Sequence, residues 1–119
     1  MTRKTPYFSV VIPTFNRCGA VGAAIRSVLT FLSSLDGEVV VVDDASTDDT
    51  IAMLHRTFGE QLRSGNVRLV QLGENRGVSE AKNVGYGSAE GEWVLFLDSD
   101  DALLADAANA VAEVLAAHQ

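Results

Sequence analysis

The stretch EVVVVDD, Glu38 to Asp44, decides the fold. Four consecutive valines are β-branched and suit a strand better than a helix. They do not alternate with polar residues, so the strand they form is covered on both faces, as in parallel sheets flanked by helices. The run then stops on two carboxylates. Asp43 and Asp44 stand at the tip of that strand.

Working outward, the chain alternates two kinds of segment. Tyr7 to Ile12 is a β-rich run that Pro13 stops. Val21, Ile25, Val28 and Leu32 then recur at helical spacing. After the valines, Ser46 or Thr47 is positioned to cap a helix, with Asp48 and Asp49 in its first turn. Ile51, Leu54 and Phe58 form its apolar stripe, and Gly59 can end it. Asn66 to Leu72 reads as a third strand, with Val67, Leu69 and Gln71 on one face and Arg68, Val70 and Leu72 on the other. A short helix of small residues runs from about Ser79 to Ser88, followed by a strand from Trp93 to Leu97. Leu103, Ala107, Val111, Val114 and Leu115 make a last helix. Four such repeats of strand and helix predict an α/β protein with three layers, α/β/α, around a largely parallel sheet with right-handed crossovers.

The 119 residues suit one domain, 1–119, with no internal repeat, linker or low-complexity segment. With 47% apolar and 21% charged residues, the chain is globular and not disordered. No apolar run approaches the roughly 20 residues of a membrane span. The basic, then apolar, start closes early at Pro13 and reads as a first strand, not as a signal peptide. Cys18 is alone, which rules out a disulfide framework and fits a reducing cytoplasm. Sixteen acids against nine bases, a net charge of −7, argue against nucleic acid as the partner. They leave room for an anionic small ligand, because a local cation can reverse the field of a pocket.

The loops that follow the strands are PTFNR (13–17), DDASTDD (43–49), GENRG (73–77) and DSDD (98–101). Ligands of open α/β sheets bind just beyond the carboxyl ends of strands, and all four polar clusters lie there. Asp43 or Asp44 can accept hydrogen bonds from an N–H or from ribose hydroxyls; the plainer reading has one acid capping the next helix and the other solvated. Asp98 and Asp100, two apart on an extended segment, point the same way and suit a hard cation such as Mg2+ or Mn2+. The plainer reading there is that Asp100 or Asp101 caps the final helix. Arg17, Arg76 and Lys82 are the cations near these loops, and Arg76 also reads as a solvated loop charge. Gly73 and Gly77 allow close approach of backbone to a ligand. His55 and His118 read as structural or solvated, Cys18 as a small buried residue, Trp93 and Phe96 as core, and Gly85, Gly87 and Gly91, with Tyr86 among them, as sites of tight packing.

Taken together and in order, FSVVIPTFNR, EVVVVDDASTDDT and ENRGVSEAKNVGYGSAEGEWVLFLDSDD resemble the amino-terminal half of family-2 glycosyltransferases, from about residue 7 to residue 104. The resemblance implies the Rossmann-like, nucleotide-binding half of a GT-A fold. It implies that Pro13, Thr14, Asn16 and Arg17 lie against the nucleotide base, with Asp44 contacting it and Asp43 beside it. Asn75, Gly77 and Lys82 would border base and diphosphate, with Arg76 close by; Lys82 stands where the family usually has Arg, keeping the charge without the bidentate fork. Asp98 would meet ribose or metal, and Asp100 would hold Mg2+ or Mn2+ bridging the phosphates of a nucleotide-diphosphate sugar, a UDP-sugar before others. Transfer to a hydroxyl of a carbohydrate, lipid or protein acceptor needs a general base, which the family keeps further along. No carboxylate cluster follows DSDD before Gln119, and Asp106 and Glu113 read as the solvated side of the last helix. The chain is therefore expected to be a donor-binding half, cytoplasmic or at the inner membrane face, and prone to dimerise through an incomplete sheet. Two other readings compete. One is a non-catalytic nucleotide-binding or regulatory module. The other is a phosphoacceptor signalling domain, which needs acids after its first strand, where PTFNR stands, and a lysine after a fifth.

Overall fold

The computed structural model describes residues 7–33 and 35–99. Four strands form one sheet: β1 (Phe8–Thr14), β2 (Gly37–Asp43), β3 (Val67–Gln71) and β4 (Trp93–Phe96). Their spatial order is β3-β2-β1-β4, and every neighbouring pair is parallel. Four helices connect them: α1 (Cys18–Leu32), α2 (Thr50–Thr57), α3 (Gly59–Ser64) and α4 (Val78–Ser88). No helix among the described residues is long and apolar enough to cross a membrane.

The valine run behaves as its pattern demands. Val39 and Val41 join Val10 and Ile12 under Val21, Ala24, Ile25 and Val28 of α1, with Leu54 and Phe58 closing that cluster. Val40 and Val42 join Val11 on the opposite face, under Ala81 of α4. The three layers follow directly: a strand with apolar groups on both faces has to be covered twice. On β3, Val67 and Leu69 face the α1 side and Val70 and Leu72 the α4 side, as the alternation predicts.

Several strand and helix ends move by a residue, and three boundary signals act differently from the sequence reading. Pro13 does not stop β1; the strand runs through it to Thr14, pairing Pro13 with Val42. Thr14 accepts at its carbonyl from the Asp44 amide, on the β2 side, and Val11 accepts from Leu97 on the β4 side. By alternation the donor that proline lacks would face β4, whose ladder ends at Phe96, so no ladder bond is lost. Ser46 and Thr47 do not cap α2. That helix begins at Thr50 with no acid in its first turn, and Asp48 accepts from the Thr50 amide at 3.0 Å. Gly59 does not end the helical segment either. It opens α3, and Gly65, at φ 87°, supplies the left-handed end. The last helix, with Asp100, Asp101, Asp106, Glu113 and His118, lies outside the described residues.

At the amino end of β2, Glu38 is fully buried. Its carboxylate accepts from Ser9 Oγ (2.6 Å), Arg68 Nη1 (2.8 Å) and the Glu90 amide (2.8 Å). Burial alone would raise its pKa. The Arg68, Ser9 and Glu90 hydrogen bonds and the Arg68 charge outweigh that and hold it below the usual carboxylate value.

Candidate functional site at the carboxyl edge of the sheet

The parallel register brings the strand ends level: Thr14 of β1 pairs with Asp43 of β2, and Asp43 with Gln71 of β3. Side chains from distant parts of the chain therefore meet at one edge. A pocket of about 330 Å³ opens there, lined by Pro13, Thr14, Phe15, Arg17, Asp44, Val78, Ala81, Asp98 and Ser99. Of the residues expected at the site, Pro13, Thr14, Arg17, Asp44 and Asp98 line it. Thr14 is buried, and its Oγ1 has no hydrogen-bond partner among the described residues. Buried hydroxyls are normally satisfied, so a pocket-lining hydroxyl of this kind is suited to a ligand or to water.

Asp44, also buried, is held by the chain. Its Oδ1 accepts from the Arg76 amide (2.7 Å) and its Oδ2 from the Gly77 amide (2.9 Å). Asn75 Nδ2 donates to its carbonyl at 3.2 Å. One carboxylate at the tip of β2 thus fixes the loop that starts α4. Gly77 takes φ 93° and ψ 163° there, a conformation open to glycine alone.

Asn16, Asp43, Asn75, Arg76, Gly77 and Lys82 are not among the pocket-lining residues. Asn16, at φ 52°, stitches the first loop to the second: its Oδ1 accepts from the Thr47 and Asp48 amides, and its own amide donates to Ser46 Oγ. Asp43 accepts from the Ser46 amide (2.9 Å) and from Ser46 Oγ (2.5 Å). Ser46 and Thr47 are therefore engaged with Asp43 and Asn16, which is why neither caps α2. Asp48 lies between the first turns of α1 and α2 and accepts from the Cys18 amide at 3.4 Å. Its pKa is lowered, first by the Thr50 hydroxyl and then by the Thr50 and Cys18 amides, against the opposing effect of burial. Arg76 pairs with Glu74 at 3.2 Å with both side chains exposed, as its solvated reading predicts. The Lys82 ammonium stands 6.0 Å from the centre of the Phe96 ring.

Sequence reasoning did not single out Phe15, Val78, Ala81 or Ser99 as pocket residues. For Phe15 a signal existed: an aromatic residue between polar neighbours at a strand tip, 42% exposed in the structure. Val78 and Ala81 carried none, since a small apolar residue on a helix reads as core. Among the described residues no group of three or more His, Cys, Asp or Glu side chains could hold a metal ion. Asp98 contributes one hard oxygen donor to the rim, and Asp100 lies outside the described residues.

A family model described as "Glycosyl transferase family 2" matches residues 9–119. An uncharacterized glycosyltransferase of Haemophilus influenzae is 35% identical over 107 residues, covering 90% of this chain and 34% of the relative. The succinoglycan biosynthesis protein ExoO of Rhizobium meliloti is 38% identical over 103 residues, covering 87% and 28%. The chain spans about a third of the length of these relatives. Among solved structures, S. aureus TarS 1-349 in complex with UDP-GlcNAc superposes with a TM-score of 0.76 at 35% identity, over 94% of this chain and 32% of that one. The mannosyltransferase PcManGT from Pyrobaculum calidifontis, in complex with GDP-Man and Mn2+, gives 0.77 at 32% identity, over 90% and 32%. The three-layer parallel architecture is that of the GT-A glycosyltransferases.

Proposed function

The chain belongs to glycosyl transferase family 2, and from that premise we propose that it forms the donor-binding region of an enzyme moving a sugar from a nucleotide diphosphate to an acceptor hydroxyl. One observation carries the reading. Pro13, Thr14, Arg17, Asp44 and Asp98, from three separate strand ends, line a single pocket in which the Thr14 hydroxyl is buried without a partner among the described residues. The Phe15 ring offers a face on which a base can stack. The backbone amides that Asp44 engages leave further lone pairs on its carboxylate for a base N–H. Arg17 supplies positive charge beside the diphosphate.

The donor set fits a hard divalent cation: Asp98, with Asp100 two residues on, would hold Mg2+ or Mn2+. When bound, such an ion neutralises the diphosphate and stabilises it as a leaving group. The relatives' complexes with UDP-GlcNAc and with GDP-Man and Mn2+ support a nucleotide sugar and a divalent metal. UDP is the donor nucleotide we favour, on the proposed contact of Asp44 with the base.

Isothermal titration calorimetry with UDP and Mn2+ tests the reading. The protein is expected to bind UDP weakly with Mn2+ present, and Asp98→Ala to remove the metal dependence. Absence of UDP and GDP binding, with and without metal, overturns it. Self-association belongs to the same proposal. The outer side of β4 has no strand partner among the described residues, and Trp93 and Phe96, expected in the core, are 39% and 47% exposed on this edge strand. Sedimentation velocity is expected to show a dimer that grows with concentration, and a monomer throughout rejects that part.

A further inference from the structure

Helix α4 forms one wall of the pocket through Val78 and Ala81, and a narrow apolar strip anchors it. Its buried residues are Ala81 and Gly85, with Val84 partly buried against the same cluster. A Cβ at Gly85 would stand 2.3 Å from Val11 Cγ1 and 3.1 Å from Val42 Cγ2, so the helix rests on the sheet almost backbone to side chain at that point. Polar contacts hold its two ends, and both sets lead to carboxylates of the strand β2 and its tip. At the amino end, Asp44 takes the Arg76 and Gly77 amides. At the carboxyl end, Glu38 takes the Glu90 amide and orients Arg68, whose Nη1 donates to the Ser88 carbonyl at 2.7 Å. Ser9, bonded to Glu38, accepts from the Gly91 amide at 2.8 Å.

We propose that Glu38, at the pole of the sheet opposite the pocket, is a positioning residue for nucleotide binding that acts through α4. The two carboxylates are six residues apart along β2, roughly 20 Å, and α4 is slung between them. Gly85 acts as the pivot. It lies three residues from Ser88 and seven from Val78, about 4.5 Å and about 10 Å along the axis. A shift of the carboxyl end therefore moves the pocket end about twice as far. Glu38→Gln keeps the volume but cannot keep the contacts. Three donors converge on the carboxylate, and an amide offers one acceptor oxygen and brings an N–H2 of its own. The neutral amide no longer holds the Arg68 charge, which keeps only the more distant Glu90 carboxylate at 3.9 Å, and the anchor of the Ser88 carbonyl loosens.

This inference rests on the donor-binding reading, and its test has a readout that does not. Amide hydrogen exchange in the protein without nucleotide is compared for wild type and Glu38→Gln. The expected result is exchange at residues 76–81 faster by tenfold or more, with the α1 amides of residues 24–28 at the wild-type rate. UDP–Mn2+ affinity is expected to fall several-fold in the same variant. Unchanged exchange at 76–81 overturns the proposal. So does equal acceleration of α1 and α4, which is the signature of a merely structural role. If Glu38→Gln does not fold, Glu38→Gln combined with Arg68→Met, which leaves no unpaired buried charge, decides by the same two criteria. A wild type that binds no nucleotide defeats the donor-binding reading, and the exchange comparison still decides whether Glu38 holds α4.

Discussion

Ala45 holds φ at 61°, between the two acids and the serine that Asp43 grips. A Cβ in that region costs about 1–2 kcal/mol, while glycine returns about 0.5–1 kcal/mol of that as extra freedom in the unfolded chain. Ala45→Gly is therefore expected to gain about 0.5–1 kcal/mol, read as a higher urea midpoint at unchanged slope. Asp44→Ala removes the charged acceptor of the Arg76 and Gly77 amides and is expected to cost about 1–3 kcal/mol by the same measurement, together with UDP binding. Glu38 sets a pH dependence. Its folded pKa lies below the ordinary value of 4.5, so the stability it contributes is complete above about pH 4.5 and is lost as pH falls through the folded value. Urea unfolding between pH 5 and pH 3 is expected to fall more steeply in wild type than in Glu38→Gln; equal slopes reject this assignment. These residues differ in legibility. The acids at the strand tips stand out in the sequence, whereas Glu38 reads as the polar start of a strand and is in fact its most constrained charge.

Helix α4 shows how two glycines on one element take opposite roles. Gly85 meets Val11 and Val42, and Gly87 meets nothing within 4 Å. Gly85→Ala has to lift the helix from the sheet and is expected to cost about 1–3 kcal/mol. Gly87→Ala adds a better helix former at an exposed position and is expected to gain up to about 1 kcal/mol. Thermal unfolding of the two variants side by side checks both signs. The sequence reads both as sites of tight packing, which holds for Gly85 and fails for Gly87, because facing direction on so weakly amphipathic a segment depends on where the sheet lies. Element boundaries failed for a related reason. Pro13 looks like a stop until pairing shows that its missing donor faces the end of a ladder, and Gly59 looks like a cap until α3 follows it.

For the whole molecule, a ligand that binds only the folded state stabilises it by mass action, about 2.7 kcal/mol at a hundred times its dissociation constant. UDP with Mn2+ is thus expected to raise the midpoint of unfolding, and Asp98→Ala to lose the part of that rise that depends on metal. The parallel sheet, the three layers and the edge where the polar loops gather were legible in the chain, because a run of valines buried on both faces and ending in acids has few other solutions. Which side chains meet at that edge was legible only in part. Thr14, Arg17, Asp44 and Asp98 line one pocket, while Asn16 and Asp43 bond to neighbouring loop residues and knit the loops together. Local pattern fixes what a residue can bond to and which face of a strand it occupies. Tertiary register decides which partner arrives there first, and at Asn16, Asp43 and Glu38 that partner was the chain itself.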